Sequence, residues 1–211
     1  VKIYDIIKSK SIDSLDKTLD TDFVFVCLPT PMKDDGSQDI SVVEDIFFKI
    51  KNLNFSGLII LKSTVHPGNI NLLEKILPDF VYNPEFLREK HASDDFINSK
   101  LIVFGGKNDS TTKLSKIYSK YTKCRYSEYI FTDLASASLI KYTINTFLAT
   151  KVIFFNEIHN LFHATNTNES WENFIYFLTK DLRIGDSHMM VPGHDGRYGF
   201  GGACLPKDAA A

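Results

Sequence analysis

Short runs of apolar, β-branched or aromatic residues recur at 1–4, 23–28 (FVFVCL), 57–62 (GLIILK), 79–82 and 100–104. Helix-like stretches at 41–52, 69–77 and 110–121 lie between several of them. No other feature limits the fold as much. Strands this apolar need a covering layer on both faces, and a helix between successive strands supplies the crossover that parallel pairing demands. The expected class is α/β, with a doubly wound parallel sheet in residues 1–126. Ligands of such sheets bind beyond the carboxyl ends of the strands. Polar residues collect at those ends here: Asp5 after 1–4, Pro29-Thr30-Pro31 after 23–28, Ser63-Thr64 after 57–62 and Asn83-Pro84-Glu85 after 79–82. Turn chemistry alone accounts for any one of them. Their recurrence along one edge of the sheet points to a site.

The pattern changes beyond residue 126, so residues 127–211 form the second expected domain. Residues 133–165 hold no Gly or Pro, and Thr132 or Asp133 can cap their start. The stretch is apolar around most of its circumference, which predicts a long, buried, connecting helix. Lys141 and Asn145 lie one turn apart on it, in a stripe with Leu134, Ala137, Leu148 and Val152. A lysine in an apolar stripe is costly unless it is paired or serves a site; snorkelling at the edge of the stripe is the plainer explanation. A further helix is expected over 168–181.

Near the end stands GRYGFGGACLPKD, residues 196–208. Gly196, Gly199, Gly201 and Gly202 precede Cys204, an odd setting for a packed thiol. If Pro206 opens a helix, Cys204 lies at its cap. Helix N-termini and nearby cations favour the thiolate, the nucleophilic form, and Lys207 and Lys141 are candidate cations. Asp208 suits the first turn of a helix and is also a candidate acid–base group. Cys27, inside an apolar strand, is expected in the core. Cys124 suggests no role.

The 211 residues are 44% hydrophobic and 24% charged, as in an ordinary globular chain, and the formal net charge of −2 offers no basic field for nucleic acid or an anionic membrane. No apolar run approaches the roughly 18 residues of a membrane span. Three widely spaced cysteines suggest free thiols and a cytoplasmic setting, and no pair has metal-ligand spacing. The chain starts on Val1 inside an apolar run and stops just as a helix is expected to begin, which suggests a fragment of a longer protein.

The stretches VCLPTPMKDDGSQDIS (26–41), KSTVHPG (62–68), YNPEFLREKHASDDF (82–96), IKYTINTFLATKVIFFNE (140–157) and GFGGACLPKD (199–208) resemble, in order, those of the UDP-glucose/GDP-mannose dehydrogenase family. The resemblance implies a Rossmann-like NAD domain, a long central helix and the start of a helical dimerisation domain. It implies NAD-dependent, two-step oxidation of a sugar C6 alcohol to a carboxylate. Cys204 falls on the nucleophile, which carries a thiohemiacetal and then a thioester. Lys141, Asn145 and Asp208 match the oxyanion and proton-handling groups, Glu85 the residue assisting hydrolysis, and Thr64 a holder of the water network that also touches the cofactor. Asp5 and Lys10 match contacts to the adenosine ribose; Thr30, Glu89 and Lys207 match other NAD contacts. Glu85, Phe86, Leu87, Arg88 and Glu89, with Gly193, Arg197 and Gly201, would line the sugar nucleotide. Arg183 matches an arginine that reaches into a neighbouring subunit, implying a homodimer. UDP-glucose is the first substrate the resemblance suggests, with GDP-mannose and UDP-N-acetylhexosamines as alternatives.

The sequence also departs from the family. No G-x-G-x-x-G turn is present; it is expected just upstream of Val1, and the C-terminal nucleotide-binding domain is expected beyond Ala211. Ser138 stands where the family often has Glu, the link from Asp5 to the strand at 23 is short, and the loop 188–197 is long. Two other classes stay open. A cysteine hydrolase or acyltransferase would need a histidine aligned with Cys204, and His188 and His194 are near in sequence. A catalytically inactive dinucleotide-fold dimerisation module would need none of this chemistry.

Overall fold

The computed structural model describes residues 1–88, 91–124, 128–202 and 204–210. Strands β1 (Phe23–Val26), β2 (Leu58–Leu61), β3 (Val81–Tyr82), β4 (Val103–Gly105) and β5 (Ile130–Thr132) form one sheet in the order β1-β2-β3-β4-β5. The pairs β1–β2, β2–β3 and β4–β5 are parallel, and β3–β4 is antiparallel, with Tyr82 opposite Gly105. The class is α/β, as the alternation requires.

The sequence places the covering helices closely. Helix α2 (Ser41–Asn52) buries Val43, Ile46, Phe47 and Ile50, spaced for a single face. Helix α3 (Pro67–Ile76) starts two residues earlier than expected, because Pro67 takes the first position and the His66 ring accepts a bond from the Gly68 N–H. Helix α5 (Asn108–Tyr121) buries Leu114 and Tyr118. The short helices α1 (Leu15–Thr18) and α4 (Ala92–Ile97) bury no residue fully. Strand β2 is buried throughout. Its alternation sends Ile59 and Leu61 into a core with α2 and α3, and Leu58 and Ile60 into a second core with Phe104, Leu114 and Tyr118. This is why its sequence reads as an unbroken apolar run. In the first core, Phe47 and Phe80 meet edge-on at 5.1 Å.

Residues 1–4 are not a strand. The Ile3 carbonyl accepts from the Ile12 and Asp13 N–H groups at 3.0 and 2.9 Å, and Lys2 pairs with Asp20 at 2.8 Å. Loop contacts satisfy backbone groups that a ladder would have used, and Asp5 sits in that loop. Strand β5 was not expected; three residues are too few to show a period. Cys27 is exposed, not in the core, because β1 ends at Val26 and Cys27 begins the turn beyond it.

Helix α6 (Leu134–Ala164) is the long helix the sequence predicts. Asp133 caps it, accepting from the Ser136 N–H at 2.8 Å and from the Ser136 hydroxyl at 2.6 Å. The chain divides into two compact units, Val1–Lys141 and Tyr142–Ala211, and the division falls within α6. In the second unit, α7 (Trp171–Leu178) starts where Ser170 accepts from the Asn173 N–H, three residues later than expected. Its core gathers Phe155, Trp171, Met189 and Val191. Helix α8 (Leu205–Ala210) closes the described chain.

Gly105 marks a close approach of β4 to the first turn of α6. A Cβ there would stand 2.5 Å from the Ala137 Cβ and 2.9 Å from the Asp133 carbonyl oxygen. Gly105→Ala is therefore expected to cost about 1–3 kcal/mol by overpacking. Urea unfolding would read this as a lower midpoint at unchanged slope, and a wild-type midpoint would contradict it.

Candidate functional site

In the first unit, the polar residues expected at the strand ends are tied together beyond β1, β2 and β3. The Ser63 hydroxyl accepts from the Leu28 N–H at 2.8 Å. The Thr64 carbonyl accepts from the Thr30 hydroxyl at 2.7 Å and from the Gln38 carboxamide at 2.9 Å. Thr30 is buried and Thr64 half-buried. Beyond β3, the Lys141 ammonium donates to the Glu85 backbone carbonyl at 2.6 Å. It stands 4.0 Å from the Glu85 carboxylate and 5.2 Å from the centre of the Phe86 ring. Lys141 is only 4% exposed, so the lysine in the apolar stripe is paired and does not snorkel. The other Glu85 oxygen accepts from the Leu87 N–H at 2.5 Å, which turns the chain after Asn83-Pro84-Glu85. Ser138, the departure from the family pattern, is fully buried and donates to the Val65 carbonyl at 2.5 Å.

Other expected residues are engaged elsewhere or exposed. Arg88 forms a forked pair with Asp95 at 2.7 and 3.0 Å, which holds the Asp95 carboxyl at about 2, below its ordinary range. The Asp5 carboxylate accepts from the Ile7 N–H at 2.8 Å. Lys10 is exposed, and Glu89 lies outside the described residues.

In the second unit, Asn145 donates its carboxamide N–H to Asp208 at 2.5 Å, and both side chains are buried. Lys207 donates to the other Asp208 oxygen. A buried carboxylate held by a cation and an amide has its charge compensated on both oxygens. Cys204 is exposed and immediately precedes α8, and its carbonyl accepts from the Asp208 N–H at 2.9 Å. It is thus the cap residue, with Pro206 in second place. Gly199 and Gly202, at φ of 80° and 81°, adopt the left-handed turns that bring the loop to the cysteine. The Gly199 N–H is anchored on Asn156 of α6 at 2.9 Å. Gly193 accepts from Gly196 and donates to the Arg197 carbonyl, both at 2.8 Å, leaving the Arg197 side chain and Gly201 exposed. Arg183 is exposed and paired with Asp181.

Sequence reasoning missed Lys62, Tyr118 and Asn156. Lys62 carried a signal of the Lys141 kind, a lysine closing the run LIIL. Among the described residues, no group of three or more His, Cys, Asp or Glu could hold a metal ion, and no helix is long and apolar enough to cross a membrane.

Residues 8–122 match the NAD binding domain of the UDP-glucose/GDP-mannose dehydrogenase family, and residues 135–211 match its central domain. The chain belongs to that family. It is 38% identical over 199 residues to a UDP-glucose 6-dehydrogenase of Rickettsia bellii, covering 90% of this chain and 44% of that protein. A UDP-glucose dehydrogenase structure from Pyrobaculum islandicum superposes with a TM-score of 0.79 at 28% identity, over 96% of this chain and 48% of that one. A GDP-mannose dehydrogenase ternary complex from Pseudomonas aeruginosa superposes at 0.69 and 31% identity, over 92% and 46%. The chain thus spans less than half the length of these relatives. Its first domain is an NAD-binding domain with a Rossmann-like fold.

Proposed function

We propose that the complete protein is a cytoplasmic, homodimeric, NAD-dependent UDP-glucose 6-dehydrogenase that carries the sugar C6 from alcohol to carboxylate through Cys204. The observation that carries this reading is the second unit's arrangement. An exposed cysteine sits at the cap of the short helix whose Asp208 is buried against Asn145 and Lys207.

The residues present fit one end of a dinucleotide. Thr30 and Thr64 are bonded to each other beyond the carboxyl ends of β1 and β2, where sheets of this kind bind nucleotides. They would hold the nicotinamide end, with Lys207 and Glu89; Asp5 and Lys10 would meet the ribose. When bound, NAD supplies the hydride acceptor for each of the two oxidations at C6. Asp208 and Lys141 take the alcohol proton through a water molecule. The Cys204 sulfur then adds to the aldehyde carbon, the thiol proton ending on the former carbonyl oxygen, to give a thiohemiacetal. Lys141 and Asn145 donate to the oxyanion at C6. After the second oxidation Cys204 carries a thioester. Glu85 draws a proton from water, the water oxygen bonds to C6, the C–S bond breaks, and the thiol is restored. Phe86, Leu87, Arg88, Gly193, Arg197 and Gly201 line the sugar nucleotide, and Arg183, exposed and paired with Asp181, would exchange that partner to reach a second subunit.

The identity with a GDP-mannose dehydrogenase and the long 188–197 loop favour one second reading, in which the chemistry stays and the sugar nucleotide changes. Both readings are tested by counting NADH formed per UDP-glucose consumed by the complete protein. Two per sugar, with UDP-glucuronate as product, is expected. None with UDP-glucose and two with GDP-mannose or a UDP-N-acetylhexosamine moves the substrate. None with any of them overturns the dehydrogenase reading and favours an inactive module.

A further inference from the structure

Behind the Asn83-Pro84-Glu85 turn lies a polar cluster that the proposed chemistry does not use. The Lys62 ammonium, on the first residue after β2, donates to the Asn83 carboxamide oxygen at 2.9 Å and lies 3.5 Å from the Tyr118 hydroxyl. The Tyr118 hydroxyl donates to that same oxygen. The Asn83 amide nitrogen donates to the Val103 carbonyl at 2.9 Å, and its backbone N–H donates to the Leu61 carbonyl at 2.9 Å. Asn83 is therefore held from every side, and the residue it leads into, two positions on, is Glu85.

We propose that Lys62 is a positioning residue of the dehydrogenase site, fixing the Asn83-Pro84-Glu85 turn through the Asn83 carboxamide oxygen. This rests on the function proposed above. The groups facing Lys62 come from each neighbouring element: Cys27 after β1, Glu85 after β3, Tyr118 on α5 and Lys141 on α6. Cys124 and Tyr129 face Tyr118 in turn. Burial holds the Tyr118 phenol well above its ordinary range, so it stays protonated and neutral. The cluster's charge is then the charge of Lys62. Burial lowers Lys62 to about 8, against opposing attraction from Cys27 and Glu85 and with further lowering by Lys141. The bond to the Asn83 carboxamide loses its ammonium charge as Lys62 gives up its proton above about 8.

The experiment uses the complete protein with Lys62→Met, Lys62→Gln and Tyr118→Phe. Met removes the charge with nearly the same shape. Folding is expected to survive, because the buried ammonium is itself a cost: between about 8 and the ordinary lysine range, only the unfolded chain keeps the proton. Gln retains a donor for Asn83. In Lys62→Met, kcat for carboxylate formation is expected to fall about tenfold with KM little changed, and Lys62→Gln should recover most of the loss. Tyr118→Phe, which takes another donor from the same Asn83 oxygen, should lower kcat in the same direction. Equal kcat in wild type and Lys62→Met would overturn the proposal, as would the absence of any recovery in Lys62→Gln. Amide hydrogen exchange of the peptide 81–88, read by mass, needs no activity. It should be faster in Lys62→Met, because the turn loses a bond that holds Asn83; unchanged exchange refutes the positioning itself. A wild type inactive on every sugar nucleotide, with the exchange difference intact, overturns the functional reading while the positioning stands.

Discussion

Cys204→Ser in the complete protein is expected to lower carboxylate formation by about 10³-fold or more, the usual scale for loss of a covalent nucleophile. The serine hydroxyl is a poorer nucleophile than a thiol at the same position, and an oxygen ester is harder to hydrolyse than a thioester. The variant should therefore stall at the second oxidation or at hydrolysis. Its NADH yield would fall below two per sugar, and quenched reactions would hold aldehyde-level or enzyme-bound sugar. The fold should be indifferent to the change, because Cys204 is exposed and contributes its carbonyl, not its sulfur, to the start of α8. Full acid production by this variant would exclude the thioester route.

Lys141→Met is expected to reduce kcat by about 10²–10³-fold, the range for loss of a donor to a developing oxyanion. The binding of NAD should change little. Two effects combine. The proposed oxyanion loses a cation, and the Glu85 carbonyl loses the donor that meets it at 2.6 Å. Leaving that carbonyl short of a partner costs about 1–3 kcal/mol if water does not replace the lysine, so thermal unfolding measured beside the kinetics separates stability from chemistry. A variant with kcat within a few-fold of wild type would make Lys141 a structural residue only.

What could be read from the sequence depended on how local its cause was. Helix α2 could be read to the residue, because its buried face repeats through two full turns. The span of α6 followed from the missing Gly and Pro, and its cap from Asp133. Lys141 and Asn145 stood out because polar groups in an apolar stripe need a reason. The supposed strand at 1–4 failed because apolar character does not provide a neighbouring strand to pair with, and Ile3 found loop partners instead. Cys27 was misjudged by one residue at a strand end, where burial changes fastest. The Lys62–Asn83–Tyr118 cluster joins residues 21 and 35 positions apart, and no local pattern connects them. The amide partner of Asp208, Asn145, lies 63 residues away. The resemblance named both residues, but only the structure brings them into contact.

Lys141 and Asn145 are both carried by α6, and this limits how the sequence can change. Each residue of an α-helix advances about 100° around the axis. Losing or gaining one residue between these two would swing one of them to another face of the rod. A loop such as 188–197 can lengthen by absorbing added residues in its turns. The α6 stretch cannot, so length variation should be tolerated before the cysteine and refused between the lysine and the asparagine.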